Sequence, residues 1–310
     1  MKFSQAPSSV LMVRPSSFGF NPQTAVTNAF QYDQTESPSE VSRKALVEFD
    51  RMVDTLKSHD VEVMVVDDPA EPQKPDAVFP NNWISFHDDG SVILYPMMTE
   101  NRRLERAIPV IDVLKSKFKV KQIVDFSDYE MKNQFLEGTG SVVFDYQNRI
   151  AYACRSARTH EVVLQVLCEK TGFKPVVFDA VDETGQPIYH TNVLMCVGTR
   201  FAVVCLDAIK RDEEQEIILA ELARTNHQVV SISYEQLRSF AGNMIEVQTK
   251  PGELVVLISE RAFHSLLPGQ MDAISKHAKL IPLSINTIEQ YGGGSVRCMV
   301  AGIFLPAINI

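Results

Sequence analysis

The feature that most constrains this chain is an order of elements that recurs five times: a helix-periodic stretch, a short apolar run, then two apolar runs joined by a tight turn. The first unit is the clearest. Between Val41 and Lys57, Ala45, Leu46, Phe49, Met52, Val53 and Leu56 fall at helical spacing. Val61 to Val66 reads as a strand, and Ala77–His87 and Ser91–Met97 read as a hairpin about Asp88-Asp89-Gly90. The pattern then returns. Helices are expected over 103–118, 159–171, 212–225 and 268–277, each followed by a strand (122–126, 175–179, 228–232, 279–283). Hairpins are expected over 141–154, 191–206 and 243–259, and one last strand over 295–305. The fifth unit is one strand short, and the apolar run Val10–Val13 can supply it, closing a ring with both ends of the chain in one sheet. Repetition of this kind points to a propeller-like or solenoid architecture. The units share pattern rather than residues, so an ordinary alternating α/β fold is the alternative. Either way, 310 residues at 45% hydrophobic suffice for one large domain, expected to span 1–310.

One position recurs with the units, the residue leading into each hairpin. It is filled by Asn82, Glu137, His190, Asn243 and Cys298, at spacings of 55, 53, 53 and 55 residues. A ring gathers these five at one end of its axis. Cys298 follows three glycines in Tyr291-Gly-Gly-Gly-Ser-Val-Arg-Cys298 and is expected near the start of a strand, beside a loop able to lie close to a ligand. Any one cysteine is ordinarily a core residue. With His190 to carry a proton and Glu137 to orient the imidazole, it becomes a candidate nucleophile. The other four cysteines, Cys154, Cys168, Cys196 and Cys205, lie in apolar runs and read as core thiols of a reducing compartment. No CxxC or HExxH pattern is present, so neither metal nor cofactor is expected. Net charge is −9 with no block of Lys or Arg, which disfavours nucleic acid or an anionic membrane as partner. No run of 18 apolar residues and no signal-like start is seen, so the expectation is a cytoplasmic protein with a small-molecule partner and unknown oligomeric state.

The segments Pro75-Asp-Ala-Val-Phe79, Asn101-Arg-Arg-Leu-Glu105, Leu136-Glu-Gly138, Ala157-Arg-Thr159 and Tyr189-His-Thr191, with Cys298, are individually short. In this order, across the whole chain, the sequence resembles the guanidino-group-modifying enzymes: arginine deiminase, dimethylarginine dimethylaminohydrolase and the amidinotransferases. Within them it resembles most the citrulline-utilisation hydrolases. The resemblance implies a five-bladed α/β propeller of pseudo-fivefold symmetry, the pentein fold. It implies Cys298 as nucleophile, with His190 and Glu137 beside it. It further implies Asp76 on a substrate α-ammonium, Phe79 on the alkyl chain, and Arg102 or Arg103, together with Arg158, on the α-carboxylate. Relatives acting on arginine carry carboxylates after the phenylalanine and two places after the histidine; here stand Asn81, Asn82 and Asn192. With Asn243 these offer amides to the substrate. A guanidinium strongly prefers a carboxylate, whereas a ureido group needs both a donor and an acceptor. The resemblance therefore implies hydrolysis of citrulline. The alternatives are an arginine deiminase or methylarginine hydrolase, an amidinotransferase, or a non-catalytic binding propeller. The loop Pro15–Pro38 is expected to fold over the pocket, with Asn21, Asn28 and Gln31 near the ligand.

Overall fold

The computed structural model describes residues 3–32 and 36–308. Residues 33–35 of the expected loop lie outside the described residues. Five three-stranded sheets form five blades. The first joins β1 (Ser9–Arg14), β2 (Glu62–Asp67) and the last strand, β15 (Ala301–Ile303). The others follow in chain order: β3 (Ile84–Phe86), β4 (Ser91–Leu94) and β5 (Gln122–Asp125); β6 (Val143–Asp145), β7 (Ile150–Cys154) and β8 (Lys174–Phe178); β9 (Met195–Val197), β10 (Phe201–Val204) and β11 (Gln228–Ser231); β12 (Ile245–Gln248), β13 (Leu254–Ser259) and β14 (Lys279–Leu283). In every blade the middle strand pairs antiparallel with one neighbour and parallel with the other. The antiparallel link needs only a tight turn, and the parallel link needs a helical crossover, which is the expected helix–strand–hairpin order.

The missing strand is supplied as expected: Ser9, Val10 and Leu11 of β1 pair with Ile303, Gly302 and Ala301. The crossover helices pack outside the sheets. Ser37 caps the first, Pro38–Ser58, by accepting from the Glu40 amide, with Pro38 pre-set for its first turn. Its stripe Val41, Ala45, Phe49, Met52, Val53 and Leu56 is buried on the blade. Two expectations need correction. The helix over 103–118 is broken into Glu100–Arg103, a 3-10 turn Leu104–Ala107 and Val110–Leu114, because Pro109 has no amide to continue it. The strand over 295–305 shrinks to β15, and Cys298 lies in a turn before it.

That turn belongs to a set. Each inner strand is preceded by a short helical or turn segment: Pro80–Asn82, Gly138–Ser141, Thr191–Leu194, residues 239–242 and residues 296–299. The segments are laced together. Thr139 Oγ1 donates to the Asn81 carbonyl (3.3 Å), Thr191 Oγ1 to that of Ser141 (2.6 Å) and Asn243 Nδ2 to that of Asn192 (2.9 Å). The Arg297 amide then donates to Asn243 Oδ1 (3.1 Å). All four links are side chain to backbone or the reverse, so they set the spacing of the five turns around the axis.

Candidate active site

The turns place their polar residues about one cavity. Cys298, His190, Asn82, Asp76, Phe79, Arg102 and Arg158 line it, together with Tyr189, Thr24, Asn28 and Gly292 to Gly294. Cys298 is 3% exposed, so a reagent reaches its sulfur through this cavity. Two amides hold the sulfur: Asn192 Nδ2 at 3.5 Å and Asn243 Nδ2 at 3.4 Å. The sulfur also lies 3.7 Å from Asn243 Oδ1, to which its S–H donates.

His190 ends the extended segment before its turn, and its Nε2 lies 2.9 Å from Glu137 Oε2. Glu137 is fully buried. Burial raises its carboxyl, but the Arg158 guanidinium 3.4 Å away and the His190 bond outweigh that, holding it well below the usual carboxylate range. Its other oxygen accepts from the Met98 amide at 3.0 Å. An ionised Glu137 can only accept, so Nε2 carries the imidazole proton and Nδ1 is left as the base. Burial pushes the imidazole pKa down to about 4 against the pull of Glu137, so the ring is neutral at neutral pH. Nδ1 has no partner among the described residues. A Cβ on Gly140 would stand 2.7 Å from that Nδ1 and 2.4 Å from Asn82 Nδ2, so only glycine leaves room for both.

Arg102 is buried and heavily engaged. It forms a two-pronged bond with Glu105 (2.8 and 2.9 Å) and donates to Asn82 Oδ1 (2.7 Å) and to the Phe79 carbonyl (3.0 Å). Burial pushes the Glu105 carboxyl up to about 8 despite Arg102. Asp76 Oδ2 accepts from Asn21 Nδ2 (2.6 Å) and Thr24 Oγ1 (3.3 Å), and lies 3.9 Å from Arg102 Nε. Its Oδ1 is buried without a partner, and so is Asn82 Nδ2. Burial raises the Asp76 carboxyl. Arg158 is held by Thr27 Oγ1 (3.0 and 2.7 Å) and the Thr24 carbonyl (2.8 Å), and lies over the Tyr189 ring. Phe79 packs against the triple glycine: a Cβ on Gly292 would come within 2.7 Å of its ring.

Of the residues singled out in the sequence, Cys298, His190, Asp76, Phe79, Asn82, Arg102 and Arg158 meet at this cavity, with Glu137 directly behind the imidazole. Arg103 does not. It turns to Glu130 (3.3 Å) and the Met97 and Met98 carbonyls, which leaves Arg102 as the inward member of the pair. Asn81 is buried behind the cavity, and Asn192 and Asn243 stand on the sulfur rather than against the cavity. Of the described part of the loop, Thr24 and Asn28 reach the cavity, and Asn21 and Gln31 do not. Asn28 lines the cavity and donates to the Gly293 carbonyl (3.2 Å), while Asn21 stands behind Asp76 and Gln31 behind Thr24. Glu105, Thr24, Thr27 and Tyr189 were not singled out. Glu105 had a signal in its place three residues after Arg102.

A pentein ring with this gathering of groups defines the guanidino-group-modifying enzymes, a class that cleaves non-peptide C–N bonds. The chain matches the model of the eukaryotic N,N-dimethylarginine dimethylhydrolases over residues 14–305, and it belongs to that family. Among solved structures, ArgZ, an arginine dihydrolase from the ornithine–ammonia cycle in cyanobacteria, is similar with a TM-score of 0.74 at 16% identity. That match covers 97% of this chain and 41% of ArgZ, so the chain spans well under half of the longer protein. The N-terminal domain of ArgZ bound to substrate gives 0.73 at 15% identity, covering 96% and 98%. DDAH from Pseudomonas aeruginosa, complexed with citrulline, gives 0.64 at 12% identity, covering 96% and 99%. These are likenesses of fold. A search of curated protein sequences found no match. Among the described residues no helix is long and apolar enough to cross a membrane.

Proposed function

We propose that the protein hydrolyses citrulline to ornithine, ammonia and CO2 through a covalent intermediate on Cys298. The observation that carries this reading is Asn82. Arg102 only donates, so its bond to Asn82 Oδ1 forces the amide nitrogen the other way, where it has no partner. A ureido oxygen meets that donor, whereas a guanidinium has no acceptor to offer it. Among the described residues lining the cavity, Asp76 is the one carboxylate, and its free oxygen suits an α-ammonium beside Arg102 and Arg158 for the α-carboxylate.

The steps follow from the groups. With substrate bound between them, the Cys298 proton passes by way of the ureido group to His190 Nδ1, and the sulfur bonds to the ureido carbon, with Asn82 Nδ2 donating to the oxygen as charge develops there. His190 returns the proton to the terminal nitrogen, that C–N bond breaks, and ammonia leaves. A thiocarbamate remains on Cys298. Water, deprotonated at His190, adds to its carbon, the S–C bond breaks, and the sulfur recovers its proton. The carbamate released decays to CO2 and ornithine.

A second reading, arginine dihydrolase, has support in the higher similarity to ArgZ than to DDAH. It needs the same steps twice, first on a guanidino and then on a ureido carbon. Incubating the protein with citrulline, arginine and a methylated arginine separately, and measuring ammonia, methylamines, citrulline and ornithine, distinguishes the readings. Citrulline alone is expected to yield both ammonia and ornithine, and Cys298→Ala to abolish turnover while binding persists. Ornithine from arginine with two ammonia per turnover favours the second reading. Ammonia from arginine with none from citrulline overturns the Asn82 argument.

A further inference from the structure

Behind the sulfur, the inner strands β6, β9, β12 and β15 run on from four of the five turns and wall a second cavity with its own lining. Gln5 lies across it, donating to the Phe144 and Val197 carbonyls at 3.0 and 2.9 Å. Two charged side chains line it, Arg297 and Glu246. The Arg297 guanidinium donates to the Val300 carbonyl (2.8 Å) and joins no ion pair among the described residues. Burial lowers its pKa, and the groups that oppose this are the Tyr146 phenol and the Cys298 and Cys196 thiols, none of them a carboxylate. Glu246 is buried. One of its oxygens accepts from the Thr199 amide (2.7 Å) and hydroxyl (2.5 Å), and the other has no partner.

A guanidinium and a carboxylate thus line one cavity without pairing. Left apart, each keeps its desolvation cost and gains nothing from the other. A third group sharpens the pattern. Asn192 also lines this cavity; its Oδ1 is buried without a partner while its Nδ2 donates to Cys298. The cavity therefore offers one cationic donor and two orphaned acceptors, between apolar walls from Val143, Val197, Met244 and Phe304. Neither a simple anion nor a simple cation satisfies that set.

We propose that this rear cavity is a second amino-acid site. It takes a zwitterion with its carboxylate on Arg297, its ammonium on Glu246 Oε1 and Asn192 Oδ1, and an apolar side chain along the inner strands. The inference does not depend on which substrate the first cavity takes. Occupancy bears on catalysis because Asn192 holds the sulfur and Arg297 is next to it in the chain. A ligand carboxylate on Arg297 offsets positive charge behind Cys298 and makes the sulfur less reactive.

The test uses L-norvaline, which has no ureido or guanidino group, titrated calorimetrically into the full chain. One norvaline per chain is expected to remain bound in Asp76→Asn, which impairs the first cavity. Arg297→Gln and Glu246→Gln are each expected to weaken it at least about tenfold. Pentanoate and n-butylamine, each carrying half of the zwitterion, are expected to bind at least about tenfold more weakly than norvaline. Saturating norvaline is expected to slow alkylation of Cys298 by iodoacetamide at least about twofold in the wild type and not in Arg297→Gln. Should circular dichroism show Arg297→Gln unfolded, Glu246→Gln and the half-ligands decide. Absence of binding, or binding lost in Asp76→Asn and kept in both rear variants, means that the cavity holds water only and overturns the proposal.

Discussion

Arg102 decides which way the Asn82 amide faces, and the proposed preference for a ureido over a guanidino head group rests on that orientation. Asn82→Asp replaces the outward donor with an acceptor. Citrulline turnover is expected to fall at least about a hundredfold, as for removal of an oxyanion donor, while arginine competes better. Ornithine release and arginine inhibition measure the two effects, and unchanged citrulline kinetics would count against the assignment. His190 supplies a second check at this scale. Its ring is expected to titrate near 4 in the wild type, resolved by NMR of the ring nitrogens. Glu137 raises that value, so Glu137→Gln is expected to move the midpoint lower still. A midpoint at or above 6.5 would show that burial does not dominate. Cys298, His190 and Glu137 were legible because they recur at one position of a repeat. Glu105 was not: Arg102-Arg103-Leu104-Glu105 reads as a solvated charge pattern, and only burial of the turn makes the pair part of the site. Nor was it legible which arginine faces inward, since that depends on where the helix breaks.

The element that matters most to the site is the short turn before each inner strand, which the sequence reading did not separate as an element at the hairpin entries. The pattern is apolar on both sides of it, so nothing in the periodicity separates turn from strand. Its helical geometry sets Glu137 and His190 just before their turns and Asn82 and Cys298 within theirs. Gly140 tests this. Its backbone is not in the left-handed region, so alanine is tolerated by the chain, yet a Cβ there meets both His190 Nδ1 and Asn82 Nδ2. Gly140→Ala is therefore expected to stay folded by circular dichroism while kcat falls at least about a hundredfold, because misplaced catalytic groups are costly even at 1 Å. A variant with wild-type kcat would place those two atoms elsewhere. The loop over the cavity is bound on several sides, by Asn21 to Asp76, by Thr27 to Arg158 and by Asn28 to Gly293. Three of its contacts are thus to groups proposed to hold or face the substrate, so its closure and ligand binding are coupled.

At the scale of the whole molecule, ring closure was legible from a count: five helical stretches, each with its strands, and a final unit short by one. The identity of the closing strand followed because Val10–Val13 is an apolar run otherwise without a partner. Val10, Leu11, Met12 and Val13 are all fully buried, and at about 1.5–3 kcal/mol each their burial rivals the whole stability of an ordinary domain. Strand β1 is therefore no appendage, even though it begins within ten residues of the amino terminus. What the count left open was the rear of the ring, whose second cavity depends on how far the inner strands splay and on side chains that no repeat pattern marks.

Because Ser9 and Ile303 sit opposite one another across a single pair of strands, the order in which the blades are spelled out carries no structural information. A gene that joins the two extremities through a short glycine–serine bridge and opens instead at the exposed Glu183–Gln186 corner is expected to encode the same catalyst, with its melting temperature within about 10 °C of the parent. Loss of all activity in such a rearranged chain, while it still folds, would mean that the seam between first and last blade is more than a convenient place to stop.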